Sequence, residues 1–385
     1  MHSLKNKFKF LVIRIIAPGI IKALFFFVPS KKNTLLIIKN DGIGDYILFR
    51  NFLAFLKQSE KYRGYDIYLL GNLAYKDISA YLDKDSVDRF FWNTDGYFLK
   101  WKLLKLLVDL HRLRLNSVIY TNYSRKTQVD WIVKNLNAPN KIGVDGNTTN
   151  QSTQFKNKGN AYYTRLITVP GGATHEFERN KQLFEIIAEE KCHYNKPFIN
   201  KQKLNIVYNN YIVIFIGARD RNRKWSNRNF SDLTKLIISN LNVNIIFAGG
   251  EDEIADGLMI QQDLAMKGVI NKIGALSLIQ LCELIGGAKL VICSDTVAVH
   301  IAAALSIPAV CISKGDLYKR FIPYPDHIEN KINSLFPVAF KADAAAYELW
   351  SELNIDAVQL IDVYNAVVST LQLHNLMPNA PSRPE

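Results

Sequence analysis

Residues 34–57 read TLLIIKNDGIGDYILFRNFLAFLK. The run Thr34–Lys39 is a short, nearly continuous apolar stretch, the pattern of a strand buried on both faces of a parallel sheet. Asn40-Asp41-Gly42-Ile43-Gly44 then makes a tight turn, and from Asp45 to Lys57 apolar residues recur at helical spacing. Strand, turn and helix in that order open a parallel βαβ unit, so the fold class is α/β.

Further short strands at Asp66–Leu70 and Ser117–Tyr120, with a helix over Lys100–Leu113, extend this into an open, mostly parallel sheet. Between Lys196 and Asn210 the sequence turns polar, with one Pro and several Asn, which suggests a linker there. Tyr211–Ile216 restarts the pattern as a buried strand. Strands at Asn244–Gly250, Leu290–Ser294 and Ala309–Ser313 then alternate with helices over Phe230–Leu241, Ile254–Ala265, Leu278–Gly286 and Ala298–Leu305. The second half repeats the first, and 385 residues suit two such cores. The expected organisation is two Rossmann-like domains facing across a cleft, over residues 33–200 and 205–343. A segment 1–32 precedes them, and a helical segment 344–373 and a disordered tail 374–385 follow.

With 48% apolar and 22% charged residues the chain reads as globular. Its net charge of +13 is concentrated at the start, where Lys5, Lys7, Lys9, Arg14, Lys22, Lys31 and Lys32 occur with no acidic residue before Asn33. There is no zinc-finger spacing, RNA-recognition signature or basic-leucine heptad, so an anionic membrane surface is expected as partner and nucleic acid is not. Cys192, Cys282, Cys293 and Cys311 include no C-x-x-C pair and read as small core residues in a reducing compartment. No metal site is expected from them.

The segment FLVIRIIAPGIIKALFFFV, residues 10–28, is apolar but broken by Arg14, Lys22 and Pro18-Gly19. A spanning helix would bury two cations at about 2.5–3.5 kcal/mol each near its centre. No cleavage site of a signal peptide follows. The expected arrangement lies in the membrane interface, lysines on headgroups and Phe25, Phe26 and Phe27 among the acyl chains. The alternative is a helix packed on the body of the protein.

In doubly wound sheets, ligands sit beyond the carboxyl ends of the strands. The loops to inspect are residues 40–45, 217–225, 249–253 and 294–300. In the first, Gly42 and Gly44 fit the opening of a dinucleotide fingerprint, but Ile47 stands where its third glycine belongs, which argues against a dehydrogenase. What the loop offers is Asp45, a carboxylate at a helix start, suited to a base and equally to a cap. The second, GARDRNRKW from Gly217 to Trp225, puts four basic residues after a strand, the charge that a departing diphosphate needs. Lys224 is the best candidate; Arg219, Arg221 and Arg223 read as solvated or as facing anionic partners. In the third, Gly249 and Gly250 allow close approach and Glu253 can accept from ribose hydroxyls, or else serves as first-turn acid. In the fourth, Ser294–Pro308, the first-turn amides and the Thr296 hydroxyl form an anion site beside Asp295, with His300 further along the helix as a site residue or else as a buried structural histidine.

Together these loops resemble glycosyltransferase family 9, the lipopolysaccharide heptosyltransferase family, over roughly Leu35–Pro325. The stretches that carry the resemblance are LLIIKNDGIGDYILFRNFLAFLK, IFIGARDRNRKWSNRNFSDLTKLI, IIFAGGEDE and SDTVAVHIAAALSIPAVCI. The resemblance implies a GT-B fold and inverting, metal-independent transfer of a heptose from a nucleotide (ADP-) heptose, a co-substrate and not a cofactor. It places Asp45 on the general base, Lys224 on the donor phosphate and Glu253 on the ribose. Asp295, Thr296 and His300 fall on the donor segment, with Gly44 and Gly217 also at the donor. Ile273–Leu278, with Ser277, falls beside the nucleobase, and Thr174–Asn180 resembles the family's His-x-x-x-Arg region. The implied acceptor is an anionic lipopolysaccharide core or lipid-linked glycan. The implied location is cytoplasmic, peripheral on the cytoplasmic face of the inner membrane. One departure is Val297, where the family has Gly, which resists positive φ and crowds a phosphate at that amide. It leaves open another sugar donor or glycan acceptor. A non-catalytic nucleotide- or glycan-binding relative is the other alternative.

Overall fold

The computed structural model describes residues 12–93, 101–172, 174–264, 268–342, 349 and 351–377. The expectations for Lys5, Lys7 and Lys9, for residues 344–348 and for 378–385 fall outside the described residues, as does the side chain of Arg14. The chain divides into two compact units. One comprises Met1–Gly171 with Arg179–Cys192, the other Gly172–Glu178 with His193–Glu385. The stretch that the sequence suggests as a linker, Lys196–Asn210, belongs to the second unit. Ile199 is buried there and its N–H donates to the Ala304 carbonyl at 2.9 Å.

The first unit is built on a six-stranded sheet in the order β3-β2-β1-β4-β5-β6. Its strands are β1 (Thr34–Lys39), β2 (Asp66–Asn72), β3 (Arg89–Asn93), β4 (Ser117–Tyr120), β5 (Asn140–Val144) and β6 (Arg165–Ile167). The second sheet has β7 (Tyr211–Phe215), β8 (Asn244–Ala248), β9 (Val269–Asn271), β10 (Leu290–Ser294), β11 (Ala309–Ile312) and β12 (Ile332–Leu335), in the order β12-β11-β10-β7-β8-β9. Every pairing in both is parallel. Renumbered within its own unit, the second order is the same as the first, the doubly wound arrangement 3-2-1-4-5-6. The strand order reverses between β1 and β4 and between β7 and β10, and the crevices for ligands open there.

All six residues of β1, all four of β4 and all five of β7 and β10 are buried, as parallel strands covered by helices on both faces must be. In the first unit Leu36, Ile38, Val118 and Tyr120 pack on Leu103, Leu107 and Leu110 of the helix Lys102–Arg112. In the second, Ile212, Ile214, Leu290 and Ile292 share a core with Trp225, Phe230 and Leu233. Val363, Val367 and Leu371 of the helix Leu360–Leu373 join it.

Two helices differ from expectation. Asp45–Lys57 is not one helix but two, Ile43–Ile47 and Asn51–Gln58. Between them the chain tightens, Phe52 N–H bonding to the Phe49 carbonyl at 3.0 Å and Leu53 N–H to Arg50 at 3.1 Å. Arg50 is held there by a 2.6 Å ion pair to buried Asp83. The long C-terminal helix begins only at Leu360, because Asn354 caps a separate short turn, Ile355–Ala357, through its side chain. The segment Ala17–Leu24 is helical and packs on the first unit, so the packed alternative holds for one of its faces. Phe25 lies on that inner face, its ring 5.2 Å from His111, and not among the outward phenylalanines. No helix among the described residues is long and apolar enough to cross a membrane. All four cysteines are buried thiols.

Candidate functional site

At the reversal point of the second sheet, β7 ends in Phe215 and β10 in Ser294. The loop after β7 turns on Asp220, whose carboxylate accepts from Asn222 N–H at 3.0 Å and sets up the short helical turn Arg221–Arg223. That turn aims Arg223 inward. Its Nη2 lies 2.6 Å from Asp295 Oδ2 and its Nε 3.5 Å from Asp316 Oδ2, and Asp316 is wholly buried. Burial opposes the charge on Arg223, but Asp295 and Asp316 outweigh it and hold the guanidinium pKa above its ordinary value. Burial likewise pushes the Asp316 carboxyl up, against the pull of the Ser351 amide, Lys314 and Arg223. Arg223 is therefore a part-buried member of an ion cluster, while Arg219 and Arg221 are exposed as the sequence suggests. Lys224, the next residue, pairs with Asp256, which also accepts from Asn227 Nδ2 at 2.8 Å. Burial raises the Asp256 carboxyl, but Lys224 and Asn227 more than offset that and leave it below the usual carboxylate range.

The loop after β8 brings Glu253 to the same strand ends. Its Oε2 accepts from Gly250 N–H at 2.8 Å, fixing the carboxylate across the turn. A Cβ on Gly217 would come within 3.1 Å of that oxygen and 2.9 Å of the Phe215 ring, so Gly217 keeps the space open. Gly217 and Glu253 are thus brought together. Gly274 N–H donates to the Gly249 carbonyl at 3.1 Å, which lays the stretch Ile273–Leu278 against this loop. Gly274 needs its φ of +72° there, a conformation costly to other residues. Ser277 caps the helix Leu278–Gly287, accepting from Gln280 N–H at 3.3 Å while its own N–H donates to Gln280 Oε1 at 2.9 Å.

After β10, Asp295 is buried and Thr296 is the extended residue before the helix Val297–Leu305, its hydroxyl donating to the Ser294 carbonyl at 3.3 Å. Val297 is the first helical residue, so no positive φ is required of it in this chain. His300 is buried and its Nδ1 lies 2.9 Å from the Tyr324 hydroxyl. His175, fully buried in the same unit, sits with its ring 4.5 Å from that of Tyr324. Burial lowers both imidazoles to about 3, with His300 reinforcing the effect on His175 and Arg223 that on His300.

In the first unit the reversal point lies between β1 and β4. Lys39 is fully buried and pairs with Asp41 at 3.0 Å, and Asp41 also accepts from Asn122 beyond β4. The Tyr75 hydroxyl donates to the Lys39 carbonyl. Its pKa is pushed far up by burial and then by the carboxylates of Asp41 and Asp45. Asp45 is half-buried, the third residue of Ile43–Ile47, and its Oδ2 accepts from Gly42 N–H at 3.3 Å. The cap geometry is real, and Gly42 gives it room, since a Cβ there would lie 3.3 Å from Asp45 Oδ2. Gly44 is the second helical residue and accepts from Leu48 N–H at 3.2 Å.

The structure therefore gathers Gly217, Lys224, Glu253, Ser277, Asp295, Thr296 and His300 in the second unit, and places Gly44 and Asp45 in the first. Sequence reasoning missed Asp256, Asp316 and Tyr324, which lie far along the chain from their partners. It also passed over Lys39, although a lysine ending the run TLLIIK was a visible signal. Among the described residues, no three or more His, Cys, Asp or Glu side chains are grouped to hold a metal ion.

The fold has well-described counterparts. A glycosyltransferase family 9 structure from Veillonella parvula aligns over 89% of this chain and 99% of its own, with TM-score 0.71 and 12% identity. The Escherichia coli ADP-heptose lipopolysaccharide heptosyltransferase II gives 0.67 and 15% identity over 89% and 99% of the two chains. Escherichia coli heptosyltransferase WaaC with ADP-2-deoxy-2-fluoro heptose gives 0.65 and 17% over the same shares. No curated protein sequence matches the chain. The likeness to these structures identifies the α/β fold as GT-B. The profile of glycosyltransferase family 9 (heptosyltransferase) matches residues 124–333, more than half of the sequence, and the chain is a glycosyltransferase that belongs to that family.

Proposed function

We propose that this glycosyltransferase moves a heptose from an ADP-linked donor to a lipopolysaccharide core acceptor with inversion at the anomeric carbon, Asp45 acting as general base. The observation that carries the reading is the gathering of Lys224, Glu253 and the first turn of Val297–Leu305 at the ends of β7, β8 and β10, where the strand order reverses. The names of two similar structures, an ADP-heptose transferase and a complex with a fluorinated ADP-heptose, support the choice of donor.

In the proposed step an acceptor hydroxyl attacks the anomeric carbon and passes its proton to Asp45. The bond to the diphosphate breaks, and ADP leaves with the electron pair. Lys224 exchanges Asp256 for a donor phosphate. The exchange is inexpensive because Asp256 is about one-third exposed and regains water when released. The amides of the first turn after Thr296 face the same diphosphate. Glu253 offers Oε1 to ribose, since Oε2 is bound to Gly250. The acceptor is an anionic, membrane-embedded glycolipid, and the reaction takes place on the cytoplasmic side of the inner membrane.

Release of ADP from ADP-heptose in the presence of extracted core oligosaccharide tests the reading. Asp45→Ala should lower turnover by about 10²–10⁴, the range for general-base catalysis, while donor binding stays within about twofold. Near-normal turnover would remove Asp45 from this role. A second reading, the same chemistry with another nucleotide sugar, is favoured by Val297, whose branched side chain narrows the donor's approach to the first-turn amides. Turnover of other nucleotide sugars in preference to ADP-heptose would decide for it.

A further inference from the structure

The helix Ala17–Leu24 is apolar on two sides, and only one of them is covered. Its inner side is fastened to the first unit. Ile21 packs against that unit's core, Lys22 Nζ donates to the Lys134 carbonyl at 3.0 Å, and Asn137 Nδ2 donates to the Lys22 carbonyl at 2.9 Å. The outer side carries Ile16, Ile20 and Leu24, spaced by four residues and so aligned in one stripe, and Phe27 follows, exposed, in the turn just beyond the helix. Their exposures rise along it, from 44% and 56% to 71% and 89%. Ile15, Phe26 and Val28 are exposed beside them and widen the patch. Single exposed apolar residues are ordinary on a protein surface, but a contiguous stripe of this kind marks a surface that meets an apolar partner.

The charge around the stripe selects among partners. Residues 1–32 contain seven basic residues and no acidic one. The helix packs beside Lys102–Arg112 and Thr127–Asn135, which present exposed Lys105, Arg112 and Lys134. The acidic residues on those two helices are Asp109, which pairs with Arg112 at 3.6 Å, and Asp130, which is buried against Arg125. An apolar stripe on a segment rich in Lys and Arg, with exposed basic residues on the helices packed beside it, complements a bilayer with anionic headgroups, although Lys31 is itself paired with Asp66 at 2.5 Å. At eight residues, about 12 Å long, the helix is far too short to cross one.

We infer that this face is a monotopic membrane anchor. The stripe Ile16–Ile20–Leu24, with Phe27 beyond it, enters the acyl boundary of an anionic bilayer, and the surrounding Lys and Arg side chains lie on its headgroups. The anchor bears on where the protein works and not on the sugar chemistry, so its failure would leave the proposed donor and general base untouched. Flotation of the full chain tests it, with vesicles of phosphatidylglycerol and phosphatidylethanolamine and with vesicles of phosphatidylcholine alone. Binding is expected to the first, weakening with added salt and much weaker to the second.

The double variant L24S/F27S should lose at least about tenfold in partition, since each side chain surrenders its burial in lipid. Its thermal midpoint should not move, because both residues are exposed in the folded protein. In a separate variant, Phe27→Trp, emission should shift to the blue on addition of the anionic vesicles. No binding by the unaltered chain, equal binding by the double variant, or an unmoved emission would each overturn the anchor. So would a dimer that binds no vesicles and that L24S/F27S takes apart, because the stripe would then be an interface between copies.

Discussion

His175, Tyr324 and His300 show what burial does to single residues in the second unit. Nε2 of His175 donates to the Phe321 carbonyl at 3.0 Å, and Nδ1 accepts from Phe177 N–H at 3.3 Å. A second ring proton would therefore point at another donor, which agrees with a pKa lowered to about 3. In the unfolded chain both histidines titrate near 6.5, so between pH 6.5 and about 3 the unfolded state binds more protons than the folded one. Their contribution to stability is complete above pH 6.5 and is lost as pH falls through that window. Each histidine adds a slope of about 1.4 kcal/mol per pH unit. Thermal midpoints from pH 7 to pH 4.5 should fall less steeply in His300→Gln than in the unaltered protein; the same slope in both would refute this account. At this scale the loops that carry Lys224, Glu253 and Asp295 were legible because each follows a buried strand. Their partners were not, because the pairing of Arg223 with Asp316, or of Lys224 with Asp256, exists only once the strands are side by side.

Elements were legible in proportion to how completely they are buried. β1, β4, β7, β10 and β11 are apolar runs and announce themselves, whereas β3, β6, β9 and β12 lie at sheet edges, where strands are short and half-exposed. β5, with Asn140 and Lys141 at its start, is buried only at Gly143 and Val144 and was missed with them. The same logic applies to the stretch that reads as a linker. The run Lys196–Asn210 is polar in composition, but its backbone is needed by the second unit. A Cβ on Gly287, at the end of Leu278–Gly287, would sit 2.2 Å from the Val207 carbonyl oxygen. Gly287→Ala should thus force this segment away and cost about 2 kcal/mol or more, the scale of a core overpacking that reaches the backbone. A thermal midpoint within a degree or so of the unaltered protein would show that the segment yields freely.

At the scale of the whole molecule the duplication of one topology assigns tasks to units. The segments proposed to hold the donor all fall in the second unit, so on that proposal ADP should slow amide exchange in residues 216–226, 249–254, 273–278 and 294–300. It should leave β1 to β6 and their loops unchanged. Hydrogen exchange followed by mass spectrometry checks this, and protection confined to the loop at 40–45 would reverse the assignment. The units are not, however, consecutive in the chain, because residues 172–178 belong to the second before Arg179–Cys192 return to the first. What returns includes Phe184, whose ring lies 5.5 Å from Phe52 and 5.6 Å from Phe49. During synthesis, then, the first unit cannot close when its sixth strand has emerged. Phe49 and Phe52 wait uncovered until the ribosome has made the first residues of its neighbour and moved on past Phe184. A gene truncation at Gly171 would leave that waiting state permanent, a sheet with its strands present and one side of its core missing.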